Sequence, residues 1–151
     1  IDLINLIKQK GWECTTSIFA LMESLDVQKD NRFVSEKIEE GWTFRKILRK
    51  RDDKDLSKRS LKIIYEKIKN QFFTPYKFVE FYWLTEQGVD RAIKICKESN
   101  ISATDSLHLA TALEIGCDIL VTTDANFCKK AENYIPTCLP EDVVKKLKEL
   151  T

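Results

Sequence analysis

Asp124 stands directly after the run DILVTT, residues 118–123, which is apolar enough to form a strand inside a parallel sheet. In open parallel sheets ligands bind beyond the carboxyl ends of the strands, so this carboxylate sits where chemistry is done. Asp105 lies in the first turn of the helix that leads into that strand, and it too is expected to face the strand ends. Each carboxylate has an ordinary alternative role. Asp124 fits the N-cap of a short helix starting near Asn126, and Asp105 complements the positive end of its own helix.

The elements that position these two groups are legible around them. Ser102 and Asp105 are spaced like a capping box, and Gly116 is a natural left-handed stop, which predicts a helix between them. From Ser106 to Leu113 that helix carries no acid and no lysine, so most of its circumference must be buried, against a sheet. Residues 78–84 are aromatic and β-branched and predict a strand, after which Thr85 caps a helix to about Glu98. Residues 134–139 are a weaker strand candidate, and Pro140 opens a last helix with Val143, Val144 and Leu147 on one side. Upstream, Ile18, Leu21, Met22 and Leu25 recur at helical spacing over about 17–29, with Thr16 or Ser17 as cap and Glu23 off the apolar stripe. A second helix is expected from Val34 through Gly41 to about Arg51, and a third through Leu61, Ile64, Tyr65 and Ile68. Helices alternating with short buried strands imply right-handed crossovers and a three-layer α/β/α sandwich with a central, mostly parallel sheet.

The composition suits one soluble domain: 151 residues, 43% hydrophobic and 32% charged, with four glycines and three prolines. No stretch approaches the roughly 18 apolar residues of a membrane span. The start has no secretion signal and no initiator methionine, so a fragment of a longer chain is expected. Five cysteines without a CxxC spacing, beside a single histidine, read as reduced and mostly packed thiols of a cytoplasmic protein rather than a zinc site. Net charge is only +1, but residues 45–69 hold eleven Lys or Arg against four Asp or Glu. That segregation offers a polyanion one surface, unless it is simply a solvated helical face.

Residues 104–127, TDSLHLATALEIGCDILVTTDANF, resemble the C-terminal signature of PIN-domain nucleases. Asp105, His108 and Ala110 match its Asp-x-x-His-x-Ala core, and Thr122, Asp124 and Phe127 match the turn after its strand. Upstream, TTSIFALME looks like the family's segment in which a serine precedes a helix bearing an acid, which places Ser17 and Glu23. The resemblance spans most of the chain as a single PIN-like domain, 1–151, with a basic helical insert at about 33–70. It is closest to small prokaryotic toxins of the VapC type.

The resemblance implies an endoribonuclease with Glu23, Asp105 and Asp124 as catalytic metal ligands, Mg²⁺ or Mn²⁺ as cofactor, and products bearing a 5′-phosphate and a 3′-hydroxyl. Crowded carboxylates repel one another unless a cation compensates, and an all-oxygen donor set favours these ions over zinc. Ser17, Thr122 and Asn126 are expected to orient the carboxylates, or else to make ordinary cap hydrogen bonds. His108 reads as a hydrogen-bonded helix residue rather than a ligand. Arg45, Lys46, Arg49, Lys50 and Arg51 are expected to contact RNA phosphates. The aromatic group Phe72, Phe73, Tyr76, Phe78, Phe81, Tyr82 and Trp83 offers a base-stacking platform, with core or dimer face as the commoner use. A homodimer and an antitoxin protein are the expected partners, and no membrane is.

One departure stands out. The family's opening strand, which ends in an Asp followed by a small polar residue and Asn, has no counterpart here, and IDLINLIKQK looks like the helix that follows it. Asp2 is the only candidate for that ligand. Either the first strand is missing from this chain, or a ligand has been lost and the protein is a weakened PIN-like module that binds RNA or protein. A receiver-like phosphoacceptor domain, a third class, calls for an acidic pair after its first strand and a lysine after a late strand, and this sequence shows neither.

Overall fold

The structure is a computed structural model that describes residues 3–150, apart from the side chain of Phe72. Asp2 lies outside the described residues. The chain divides into two compact units, one formed by residues 1–19 and 78–151, the other by residues 20–77.

The first unit is α/β, with every ladder parallel. After α1 (Leu3–Lys10), β1 (Cys14–Ser17) pairs with β2 (Val79–Tyr82), Cys14 opposite Val79 and Ser17 opposite Tyr82. Later in the chain β3 (Leu120–Val121) pairs with β4 (Thr137–Cys138). Among the described residues no ladder joins the two pairs, so the expected central sheet is present as two two-stranded pieces. Leu120 and Val121 are half-buried, where an inner strand had been expected. Of the four strands among the described residues only β1 has no signal in the sequence, because three of its four residues carry hydroxyls and show no apolar pattern.

Helices α5 (Glu86–Ser99) and α6 (Ala103–Ile115) start on the side-chain caps Thr85 and Ser102, as their sequences predict. The connection turns on Asn100, which takes a left-handed φ of 52°, and α6 stops at Gly116, φ 74°. Leu109, Ala110 and Ala112 of α6 join Ala92 and Ile95 of α5 and Phe127 and Ala131 of α7 (Ala125–Ala131) in one apolar core. This explains the missing charges between Ser106 and Leu113. The helix α8 (Val143–Leu150) follows a short 3₁₀ turn opened by Pro140.

The second unit is helical. α2 (Ile18–Glu39) starts on β1 and runs on continuously, longer than the 17–29 segment its apolar stripe marks. It ends because Gly41 takes a φ of 77°, so the helix expected to pass through Gly41 is broken there and resumes as α3 (Phe44–Lys50) on the cap of Thr43. α4 (Lys58–Ile68) is capped by Ser57. Among the described residues of this unit, Phe33, Ile47, Ile64 and Ile68 are the buried apolar ones. A polar cluster lies beside them: Glu36 takes the Arg32 guanidinium at 2.7 Å and the hydroxyl of Ser60, which is 1% exposed.

Candidate active site

Asp124 is held at the end of β3 by the backbone around it. Its N–H donates to the Thr122 hydroxyl at 3.1 Å, and its Oδ1 accepts the N–H groups of Asn126 at 2.8 Å and Phe127 at 2.9 Å. Thr122 is fixed in turn by donating its N–H to the Cys138 carbonyl, and the Asp124 carbonyl accepts from Cys128. The cap role foreseen for Asp124 is therefore filled by one carboxylate oxygen. The other makes no hydrogen bond among the described residues, and the side chain is exposed. Thr122 and Asn126 are both brought to Asp124, Asn126 through its backbone rather than its amide side chain.

Asp105 is built in a similar way. Its N–H donates to the Ser102 hydroxyl at 3.1 Å while that hydroxyl donates back to Oδ2 at 2.7 Å, so the capping box closes on the carboxylate itself. Asp105 is half-buried, and Ser106 beside it has a hydroxyl sealed from solvent with no partner among the described residues. Ser17, 6% exposed, accepts the Phe19 N–H at the start of α2. Glu23 is exposed on α2 and belongs to the 20–77 unit, whereas Asp105 and Asp124 belong to the other. Among the described residues no three Asp, Glu, His or Cys side chains stand together as a metal-holding group.

The thiols of the unit that carries Asp105 and Asp124 are poor competitors for a metal. Burial pushes the Cys14, Cys117, Cys128 and Cys138 thiols above their usual range, so they stay protonated at neutral pH, and none of the five cysteines is in a disulfide. Asp105 and Asp124 offer carboxylate oxygens, one oxygen of each accepting hydrogen bonds from the described residues around it. In kind, this fits a hard divalent cation.

The family model of the PIN domain matches residues 16–133. The chain belongs to the PIN-domain family. PIN domains are generally nucleases, and PIN nucleases bind RNA and generally use divalent metal ions. The match takes in the last two residues of β1, the acid-bearing start of α2, the capping box at Asp105 and the turn at Asp124. No curated protein and no solved structure matches the chain. No described helix is long and apolar enough to cross a membrane.

In the second unit the expected phosphate-binding residues divide by what already holds them. Arg51 donates to Asp30 at 2.6 Å through Nη2 and 2.9 Å through Nε, and Lys54 reaches the other oxygen of Asp30 at 2.6 Å. Lys46 lies 3.6 Å from the centre of the Trp42 ring. Arg45 and Arg49 are exposed on α3, as is Lys50, which lies 3.7 Å from Asp53. The commitment of Arg51 was not visible in the sequence, because Asp30 is 21 residues away.

Proposed function

We propose that this PIN domain is a metal-dependent endoribonuclease, the toxin of a toxin–antitoxin pair, with Asp105, Asp124 and Glu23 as the carboxylates that hold Mg²⁺ or Mn²⁺ and Asp2 as the remaining candidate. The observation that carries this reading is the pair of fixed carboxylates, one closing a capping box and one capping α7 at the end of β3, within the segment that matches the family. A divalent ion held there would neutralise the charge that builds on a phosphodiester as it is cleaved. The protein's own contribution is positional. Thr122, Asn126 and Ser102 fix the carboxylates before substrate arrives, and Ser17 fixes the start of the helix that carries Glu23. The basic α3 supplies phosphate contacts through Arg45, Arg49, Lys50 and Lys46, with Arg51 adding charge from its pair with Asp30. We read residues 1–151 as a single PIN-like domain whose helical residues at about 33–70 are an insert, working as a cytoplasmic homodimer restrained by an antitoxin.

The second reading is a weakened PIN-like module that binds RNA or protein without cutting. The absence of a three-carboxylate group among the described residues favours it. Cleavage of a labelled RNA in Mg²⁺ or Mn²⁺, with and without EDTA, separates the two: EDTA-sensitive cleavage supports the nuclease, and binding without cleavage supports the module.

A further inference from the structure

Between α2 and α3 the 20–77 unit has a hollow of about 410 Å³, within the roughly 300–1,000 Å³ of ligand pockets. Two stripes of the same spacing line it: Asn31, Val34 and Ser35 recur at i, i+3, i+4 along α2, and Phe44, Ile47 and Leu48 do so along α3. Ile47 is 1% exposed and anchors its helix, whereas the Phe44 ring is 69% exposed. Val34 is half-buried, and Asn31 and Ser35 are exposed. The lining thus joins an open aromatic face and aliphatic side chains to an amide and a hydroxyl, each of which both donates and accepts hydrogen bonds.

The charge around the hollow is positive. Arg45, Lys46, Arg49 and Lys50 make every residue of α3 outside the apolar stripe a cation, and the helix holds no acid. Asp30, the carboxylate in the lining, is already met by Arg51 and by Lys54, each at 2.6 Å, so it sets no unbalanced negative charge against an anion. A second copy of this chain would bring the same cations against themselves. A nucleobase on its phosphate backbone answers all three features: its face stacks on the ring, its edge meets the amide and the hydroxyl, and the phosphates meet the cations. The base must be unpaired, because pairing would occupy its edge and stacking its faces. Four cations spread over about two helical turns suit several phosphates of a strand better than the single phosphate of a mononucleotide.

We propose that the α2–α3 hollow receives one unpaired base of single-stranded RNA, stacked on Phe44 and read at its edge by Asn31 and Ser35, while Arg45, Arg49 and Lys50 hold the phosphates on either side. This base site rests on the RNA reading above, whose phosphate contacts it shares, but not on cleavage.

The test uses the whole chain in EDTA, so that cleavage does not enter, and fluorescein-labelled single strands of RNA read by fluorescence anisotropy. One set of strands differs only in base type, and a control strand keeps every phosphate but carries abasic sites. The intact strands are expected to bind, and the abasic strand to bind about fivefold or more weakly, the effect of losing a base stack. Phe44→Leu should weaken the intact strands by a similar factor, leave the abasic strand unaffected and keep the salt slope, since the phosphate contacts remain. Phe44→Trp should bind at least as tightly as the native chain. Asn31→Ala with Ser35→Ala should narrow the spread of affinities among strands of different base. All three residues are exposed, so the fold should survive, which circular dichroism checks. Native affinity in Phe44→Leu, or an abasic strand bound as tightly as the intact ones, would overturn the proposal and leave the ring to a protein surface. So would a chain that binds none of the strands, free nucleoside monophosphates that compete as well as a strand, a spread unchanged by the Asn31 and Ser35 pair, or a dimer that Phe44→Leu dissociates. A chain that binds RNA in this way but never cleaves it would uphold the base site and remove only the nuclease reading.

Discussion

The Asp124 N–H donates to the Thr122 hydroxyl across 3.1 Å, so strand end and carboxylate are tied together before any ligand is present. Cys138 holds Thr122 from β4, and Cys128 holds the Asp124 carbonyl from α7. The turn is thus fixed from both sides, and one oxygen of Asp124 caps α7, accepting the N–H groups of Asn126 and Phe127.

The cap role of Asp124 and its proposed role at the metal separate stability from activity. Asparagine caps a helix about as well as aspartate, whereas alanine forfeits roughly 1 kcal/mol. Asp124→Asn is therefore expected to keep the unfolding midpoint in urea and lose cleavage, and Asp124→Ala to lose both. Equal stability of the two variants would mean the cap contributes nothing.

Gly88 is required by the Glu114 side chain. A Cβ at residue 88 would stand 1.8 Å from Glu114 Oε2 and 2.4 Å from Leu84 Cδ1. Glu114 cannot simply swing away, since its Oε1 accepts the Tyr82 hydroxyl at 2.9 Å and the Thr85 N–H at 3.3 Å. Gly→Ala in a helix ordinarily stabilises by up to about 1 kcal/mol; here overpacking of roughly 1–3 kcal/mol should win. Urea unfolding of Gly88→Ala should show a net loss, partly restored by Glu114→Ala in the same chain.

How much of this was legible depended on whether the cause was local. Caps, Gly116 and the uncharged face of α6 were readable because each is set by residues within a turn or two. Gly41 was read as tolerated, but at the end of a polar helix nothing opposes its left-handed φ. β1 escaped because CTTS has no apolar alternation. The positions of Asp105 and Asp124 followed from their places beside helix and strand ends, but the polar anchors did not: Asp30 with Arg51 and Lys54, Glu114 with Tyr82, and the Cys138 carbonyl with Thr122 join residues far apart in sequence.

Asp30 gives a pH dependence of known sign. The hydrogen bonds from Lys54 and Arg51 hold its carboxyl below the usual aspartate range. A depressed folded pKa adds stability that is complete above the unfolded value of about 3.9 and is lost as pH falls through the folded value. The stability difference between the native chain and Asp30→Asn should therefore be constant from neutral pH down to about pH 5 and vanish in stronger acid. A difference that persists at the lowest pH would assign the effect to packing.

RNA affinity should fall steeply with salt through counterion release. Charge reversal at Arg45, Arg49 and Lys50 should flatten the slope of log affinity against log salt. Arg51→Glu should flatten it less and cost stability, because its guanidinium already serves Asp30. An unchanged slope in the triple variant would place RNA on another face.

The most direct test of the nuclease assignment is the rate at which the chain cleaves a labelled RNA in Mg²⁺ or Mn²⁺, measured beside Asp105→Asn and Asp124→Asn and repeated after EDTA. The assignment predicts cleavage that EDTA abolishes and that each substitution removes while circular dichroism stays native. Cleavage indifferent to EDTA, or retained in both variants, would contradict it.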